Sequence, residues 1–160
     1  MMDITLKGIK IYAGLSEETI AFQASLYVDG KRVGEAKNAG HGGANDVRVF
    51  KDGRWDRALI DTMEAEAATH TWEYEGEAHP HSLDSYIGEL VNNIQEQRDV
   101  KRKCRTQTLF RIPDETYHRG EYHVMKRKYD STVKAYLIKT YGEQVAVKNE
   151  LLFSTEGGQE

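Results

Sequence analysis

The sequence predicts an α+β fold, in which an antiparallel β-sheet packs against about three α-helices. We expect the sheet to contain an N-terminal hairpin or meander together with strands from the C-terminal part of the chain. Apolar and polar residues alternate over residues 22–28, as in a strand with one buried face, and later segments carry apolar residues at helical spacing. Because strand and helix segments do not alternate regularly, a segregated α+β arrangement is favoured over a doubly wound one.

The N-terminal part of the chain is predicted to form β-strands. Residues 4–11 alternate in polarity except at Gly8, where the phase shifts, and this indicates a β-bulge. Residues 22–38 predict a hairpin around Asp29 and Gly30, because a type I′ turn needs positive φ at both central positions. A further short strand is expected after this hairpin.

Three helices are predicted from apolar residues that are spaced three and four apart. The first begins near Gly53, the second is capped by Ser82, and the third is capped by Asp130. Two strands around a turn at residues 119–120 precede the third helix, and a last strand is expected over residues 144–153. We expect one shared core, formed by Phe22, Leu26, Leu59, Met63, Ile87, Leu90 and Leu109.

Length and composition predict one domain. The 160 residues are enough for a single core over residues 1–153, with a short flexible tail over residues 154–160. No apolar run approaches the ~18 residues of a membrane span and no secretory signal is visible, so we expect a cytoplasmic protein without membrane association. Cys104 is the only cysteine, which excludes an intrachain disulfide and fits a reducing compartment.

Charge is distributed unevenly along the chain, which has a net charge of −4. Residues 1–95 carry nine Lys or Arg against 16 Asp or Glu, residues 96–140 carry 12 against six, and residues 141–160 carry one against four. Two interpretations are open: the acidic and basic parts complement each other, within the fold or across a homo-oligomer interface, or the basic segment binds an anionic partner. We expect a homo-oligomer on the first interpretation.

A glycine-rich loop, NAGHGGAND at residues 38–46, follows the predicted hairpin. Either it is a wide turn between two strands with His41 exposed, or its backbone amides form an anion-binding nest. In the second case His41, Gly42 and Gly43 would hold a phosphate or a carboxylate. The loop is neither a P-loop nor a dinucleotide fingerprint, because no Gly-Lys-Ser/Thr follows and no helix opens at once.

Basic and aromatic side chains are interleaved between residues 101 and 129. Arginine binds phosphates and aromatic rings stack on bases, so this pattern suits a nucleotide or another anionic ligand. A sequence pI near 5.9 argues against general binding of nucleic acid, for which basic domains are typical. The predicted ligand-binding residues of this segment are Arg111, Tyr117, Arg119, Tyr122, Lys126 and Arg127.

Candidate catalytic and metal-binding residues are few. The His-Pro-His sequence at residues 79–81, combined with His41 or His70, could supply three metal ligands, but an exposed histidine pair before a helix is the simpler interpretation. Cys104 lies among Lys103 and Arg105, which could lower its pKa, yet no signature of a catalytic cysteine or serine accompanies it. We therefore predict no catalytic residue, no metal and no cofactor.

Residues 22–46 and 108–149 resemble a group of small uncharacterised proteins from bacteria and their phages. The resemblance is carried by the ASLYVDGK hairpin, the HGG loop and a Y-x-x-G-E-Y segment at residues 117–122. It implies a stand-alone protein, often encoded on mobile elements, and it implies no catalytic residues. Some phage proteins of this kind are thought to blunt host nucleotide signalling.

These observations lead to one functional hypothesis and two alternatives. The hypothesis is a non-catalytic phage or mobile-element accessory protein of the host cytoplasm that sequesters a phosphorylated small ligand, such as a nucleotide signal, and so counters host defence. It requires only that the hydrogen-bond donors of the loop and of the basic segment converge on the ligand. The first alternative is an inhibitor or regulator that binds a host protein, and the second is a histidine-dependent metal hydrolase.

Overall fold

The computed structural model describes residues 1–118 and 120–156. The chain forms two compact units, Met1–Ile94 and Gln95–Glu160, and the boundary falls inside one long helix. Each unit contains antiparallel strands and helices, which confirms the α+β class. The prediction of one domain over residues 1–153 stays a prediction. Within the described residues, no helix is long and apolar enough to cross a membrane.

The first unit contains a five-stranded antiparallel sheet whose strands are adjacent in chain order. The predicted bulge is present, because the register shifts between Lys7 and Lys10 and Gly8 has a φ of 61°. The predicted type I′ turn is also present, since Asp29 and Gly30 have φ values of 48° and 76°. The strands are β1 (Ile4–Ile11), β2 (Phe22–Val28), β3 (Lys31–Asn38), β4 (Asp46–Lys51) and β5 (Arg54–Trp55).

Two helices contribute to the first unit. Helix α1 (Arg57–Ala67) begins after Asp56, which caps it by accepting a backbone N–H hydrogen bond, so the helix starts later than the predicted Gly53. Helix α2 (Leu83–Cys104) begins at the predicted cap, and the Ser82 hydroxyl accepts a hydrogen bond from the backbone N–H three residues later. Only the first half of α2 belongs to this unit.

A two-stranded hairpin lies between these helices, and the sequence pattern did not predict it. Strand β6 (Thr71–Tyr74) pairs with strand β7 (Glu77–Pro80). The turn residues Glu75 and Gly76 have φ values of 51° and 82°, so this is a second turn with positive φ at both central positions. Most of its residues are exposed, and a segment without a buried apolar face lacks the alternation by which strands are recognised.

An apolar core fills the space between the sheet and the helices of the first unit, and Leu26, Met63 and Ile87 are fully buried there. Leu109 is absent from this core because it packs with Cys104 in a separate cluster of the second unit, so the prediction of one shared core was wrong. The predicted core residues that do pack together are Phe22, Leu26, Leu59, Met63, Ile87 and Leu90.

The second unit is built on a three-stranded antiparallel sheet, in which strand β8 (Thr108–Arg111) lies in the centre between β9 (His123–Met125) and β10 (Ala146–Val147). Asp130 caps helix α3 as predicted, and the helix ends before Gly142, which has a φ of 91°. The strand predicted over residues 144–153 is only two residues long and is followed by a helix. The elements are β8 (Thr108–Arg111), β9 (His123–Met125), α3 (Ser131–Tyr141), β10 (Ala146–Val147) and α4 (Lys148–Glu156).

The C-terminal residues 154–160 were predicted to form a flexible tail. Residues 154–156 belong to helix α4, and residues 157–160 lie outside the described residues. The helix therefore extends beyond the predicted end of the domain.

Substitution of a buried leucine tests the core of the first unit. Leu26→Ala removes a side chain with no exposed surface and should lower the free energy of unfolding by about 2–5 kcal/mol. Leu15→Ala is the matched control, because Leu15 is 56% exposed, and it should cost less than about 0.5 kcal/mol. Urea denaturation followed by circular dichroism measures both values, and equal losses would show that this core is misassigned.

Candidate functional site

The glycine-rich loop is organised around the carbonyl oxygen of Gly40. This oxygen accepts hydrogen bonds from the backbone N–H groups of Glu17, Glu18 and Thr19 at 3.0, 3.1 and 3.4 Å. The Gly40 N–H donates to the side-chain oxygen of Asn38 at 2.8 Å. Successive N–H groups that converge on one acceptor form a nest of the kind that binds anions. Here the acceptor is a carbonyl of the chain itself, so the nest holds the loop in place.

Glycine is required at position 40 for two reasons. Its φ of 91° is rarely adopted by residues that carry a Cβ atom. A Cβ atom would also lie 2.1 Å from the carbonyl oxygen of Leu15 and 2.9 Å from the Cβ atom of Ala21. The close approach of the loop to residues 15–21 therefore depends on the absence of a side chain.

A network of amide and hydroxyl groups extends from this loop to helix α2. The Thr19 hydroxyl donates to Asn38 Oδ1 at 2.9 Å, and Asn38 Nδ2 donates to Asn45 Oδ1 at 3.1 Å and to the Gly43 carbonyl at 2.9 Å. The Asn45 N–H donates to Asp84 Oδ1 at 2.7 Å, and Asn45 Nδ2 donates to the Asp84 carbonyl at 3.0 Å. These bonds fix both ends of the loop, one against residue 19 and the other against the first turn of α2.

A cleft of about 510 Å³ lies within the first unit beside this network. Three carboxylates border it, and none of the described residues that line it is Lys or Arg. Its size falls within the range of small-molecule sites, roughly 300–1,000 Å³. The apolar lining residues are Ile20, Phe22 and Val91, and the polar ones are Ser16, Glu17, Glu18, Thr19, Asn38, Asn45, Asp84, Ser85 and Asn92.

Two of the predicted anion-binding residues of the loop lie next to carboxylates. His41 Nδ1 is 3.1 Å from Glu17 Oε2, with both side chains exposed. The Gly42 N–H donates to the Thr19 hydroxyl at 3.3 Å, and a Cβ atom at Gly42 would lie 2.2 Å from Glu18 Oε2. An anion at this position would be repelled by the carboxylates of Glu17 and Glu18, and the Gly42 N–H already donates to another acceptor. The local geometry therefore disfavours a phosphate.

Arg111 is brought together with two predicted stacking residues in the second unit. Its guanidinium carbon lies 5.2 Å from the centre of the Tyr117 ring and 4.6 Å from that of Tyr122. Its Nε donates to the Glu121 carbonyl at 3.1 Å, and Nη2 donates to the His118 carbonyl at 3.5 Å. The side chain thus fastens the segment between β8 and β9. The two rings that were predicted to stack on a base instead contact this guanidinium.

A hydrogen-bonded chain of Tyr117, Glu115 and His123 lies beside this arginine. The Tyr117 hydroxyl accepts from the Ile112 N–H at 2.8 Å and donates to Glu115 Oε2 at 2.7 Å, while His123 Nε2 lies 2.8 Å from the same oxygen. The hydrogen bonds from His123 and Tyr117 lower the pKa of the Glu115 carboxyl. The predicted ligand-binding residue Arg119 lies outside the described residues.

The remaining predicted cations, Lys126 and Arg127, lie at the other end of strand β8. The Arg127 carbonyl accepts a hydrogen bond from the Thr108 hydroxyl at 2.9 Å. The Nη2 atom of the Arg127 guanidinium lies 3.6 Å from Asp130 Oδ2. Thr108 and Arg111 are the two ends of β8, which are separated by about 10 Å at the rise of a β-strand. Arg111 on one side and Lys126 with Arg127 on the other therefore form two separate groups in the second unit, whereas the glycine loop belongs to the first.

The histidines do not form the three-ligand arrangement considered above. The His79 ring packs on Trp72, with ring centres 5.3 Å apart, and His81 is buried with its Nδ1 atom 3.0 Å from the Ser85 hydroxyl. Over residues 1–118 and 120–156, no group of three His, Cys, Asp or Glu side chains is arranged to hold a metal ion.

Burial determines the chemistry of Cys104. The side chain is buried at the end of α2, and this burial raises the pKa of the thiol, while the charge of Lys148 acts weakly in the opposite direction. The expectation that its basic neighbours lower this pKa was therefore wrong, because Lys103 and Arg105 are exposed and the sulfur is not.

The sequence patterns did not identify the carboxylates and amides that define the cleft. No binding role was predicted for Glu17 or Glu18, and Asp84 lies in the first turn of α2, where an acidic residue stabilises the start of a helix. Asn45 differs from them because it lies in the glycine-rich loop, where the available signal is a pair of asparagines, seven positions apart, on either side of a glycine run.

Replacement of loop glycines by alanine tests which of them the folded structure requires. Gly40→Ala should lower the free energy of unfolding by at least about 2 kcal/mol, because the new methyl group clashes with backbone and φ is positive. Gly43→Ala should change it by less than about 0.5 kcal/mol, because no atom lies within 4 Å of the added carbon. Urea denaturation measures both, and a Gly40→Ala variant as stable as the parent protein would contradict the close approach of residue 40 to residues 15–21.

Alkylation of Cys104 tests its burial. At pH 8 the native protein should react with iodoacetamide at least about tenfold more slowly than the protein unfolded in urea, because the thiol is buried and its pKa is raised. Mass spectrometry after timed quenching gives the two rates. Equal rates would mean that the thiol is accessible and that Cys104 again deserves consideration as a nucleophile.

Comparisons with protein-family models, with curated proteins and with solved structures give no match to this chain. The candidate site is therefore defined by its own contacts, which are the Gly40 nest, the asparagine network and the carboxylates beside the cleft.

Proposed function

We propose that the chain is a non-catalytic binding protein that captures a small organic amine in the cleft beside the glycine-rich loop. One observation carries this proposal: Glu17, Glu18 and Asp84 border the cleft, and none of its described lining residues is Lys or Arg. A ligand with an ammonium group supplies the positive charge that this border lacks, and it can donate hydrogen bonds to the carboxylates.

The shape of the cleft suits a ligand with an apolar body. Ile20, Phe22 and Val91 provide apolar surface, while the polar residues stand around it. Sites of this composition bind by burying the apolar part of a ligand and orient it through a few polar groups. Because Asn38 and Asn45 bond mainly to each other and to their neighbours, the cleft needs little reorganisation on binding.

The proposal retains the predicted sequestering function and changes the ligand class. A phosphorylated ligand held by His41 and the loop amides would place its negative charge beside Glu17 and Glu18. Like charges at this distance oppose binding, whereas an ammonium group at the same place is favoured. Interference with host defence by a mobile-element protein stays a prediction from the resemblance.

Calorimetry with three probes tests the ligand class. Tyramine should bind, and tyrosol, which carries a hydroxyl in place of the ammonium group, should bind at least about tenfold more weakly because a charge-assisted hydrogen bond is lost. AMP should give no heat. If AMP binds and neither amine nor alcohol does, the phosphorylated-ligand hypothesis is right and the amine proposal is wrong.

A pair of variants locates the site. Glu18→Gln keeps the shape of the side chain and should weaken tyramine binding by about tenfold through the lost charge. Glu35→Gln changes a β3 carboxylate of the same unit that is not among the described residues lining this cleft, and it should have no effect. Equal loss in both variants would indicate unspecific electrostatic attraction and not a site.

A further inference from the structure

The β6–β7 hairpin gathers aromatic side chains on one of its faces. The register pairs Trp72 with His79 and Tyr74 with Glu77. Side chains two residues apart on one strand, and those directly opposite across the pair, share a face. Trp72, Tyr74, Glu77 and His79 therefore form one surface, which we call the aromatic face.

The rings of the aromatic face contact one another and remain open to solvent. The ring centres of Trp72 and Tyr74 are 6.0 Å apart, and that of His79 lies 5.3 Å from the first and 6.5 Å from the second. Trp72 is 44% exposed and Tyr74 is 56% exposed. In the described part of the chain no third strand pairs with this hairpin. A two-stranded ribbon with an exposed aromatic surface gains stability when a partner covers it.

The base of the hairpin is fixed, so the aromatic face has a defined orientation within the first unit. The His81 N–H donates to the His70 carbonyl at 2.9 Å. Both histidine rings pack on Tyr86 of α2. The centre of the His81 ring is 5.9 Å from the centre of the Tyr86 ring, and that of the His70 ring is 4.7 Å from it. The segment that presents the aromatic face is thus anchored at the point where its strands begin and end.

Charge restricts the kind of partner that fits. Glu77 lies on the aromatic face, and Glu73 and Glu75 are exposed on the same hairpin. Residues 58–94, which contain the hairpin, include eight Asp or Glu and no Lys or Arg. An anionic or acidic partner is repelled by this surface, whereas a cationic side chain is attracted both by the carboxylates and by the faces of the rings.

We propose that the aromatic face docks an arginine-containing basic segment of another protein. A guanidinium is planar and less strongly hydrated than an ammonium, so it stacks on an indole or phenol ring while pairing with a carboxylate at the rim. Trp72 and Tyr74 supply the stacking surface, and Glu77, directly across from Tyr74, supplies the carboxylate. This surface is distinct in its residues from the cleft beside the glycine loop.

Fluorescence anisotropy with a labelled peptide of alternating glycine and arginine tests the docking. The same peptide with citrulline in place of arginine keeps the shape and removes the charge, and it should bind at least about tenfold more weakly. Trp72→Ala and Tyr74→Ala should each weaken binding of the arginine peptide about tenfold, and Glu77→Gln should weaken it about threefold. Trp55→Ala is the control, because Trp55 is also exposed, at 52%, but lies on β5.

Three outcomes would overturn the proposal. The first is equal binding of the arginine and citrulline peptides. The second is equal loss in the Trp72→Ala and Trp55→Ala variants. The third is concentration-dependent self-association in light scattering that Trp72→Ala abolishes, which would make a second copy of the chain the occupant. Glu18→Gln should leave peptide binding unchanged, so this test and that of the cleft fail independently.

Discussion

The geometry of the first unit around its cleft depends on one acceptor, the carbonyl oxygen of Gly40. Three successive N–H groups, from residues 17–19, converge on it and draw the glycine-rich loop against the segment between β1 and β2. A backbone carbonyl can accept more than one hydrogen bond, and the approach is close enough that only a residue without a side chain fits. The asparagine network then extends this junction to α2, so the cleft, its carboxylates and the position of His41 all follow from where this oxygen lies.

In the second unit, several backbone groups are likewise held by one polar group, which here is the side chain of Asn149. Asn149 is fully buried, its Oδ1 accepts from the Leu109 N–H at 2.9 Å, and its Nδ2 donates to the carbonyls of Gln107 at 2.9 Å and Cys104 at 3.3 Å. A buried amide is stable only when such bonds are made, because an unpaired polar group loses its hydration without compensation. One asparagine in this way ties the end of α2, the start of β8 and the first turn of α4 together.

The features that the sequence predicted correctly are those set by local chemistry. Asp29 and Gly30 specify their turn through the φ values that they tolerate, and Ser82 and Asp130 specify helix starts through their side-chain oxygens. The β6–β7 hairpin was missed because its strands bury no apolar face, and α4 was missed because the alternation of Val145 and Val147 continues a strand pattern up to the residue where the helix begins. The environment of His41 could not be predicted either, since the carboxylate of Glu17 is 24 positions away in the chain.

Charge patterns in a sequence mislead when the side chains are already engaged in the fold. Arg111 is one of the predicted ligand-binding cations, yet its guanidinium donates to two carbonyls and lies over the rings of Tyr117 and Tyr122. The acidic residues before it were not among the predicted ligand-binding residues, although Glu18 borders the cleft and Glu77 shares a face with exposed aromatic rings. Arg111 uses two of its five N–H donors on backbone carbonyls and is held in place by them, whereas a carboxylate beside an open surface keeps its acceptors available. We therefore expect the first unit to bind cationic partners, although the sequence pattern pointed to the basic residues of the second unit as the binding residues.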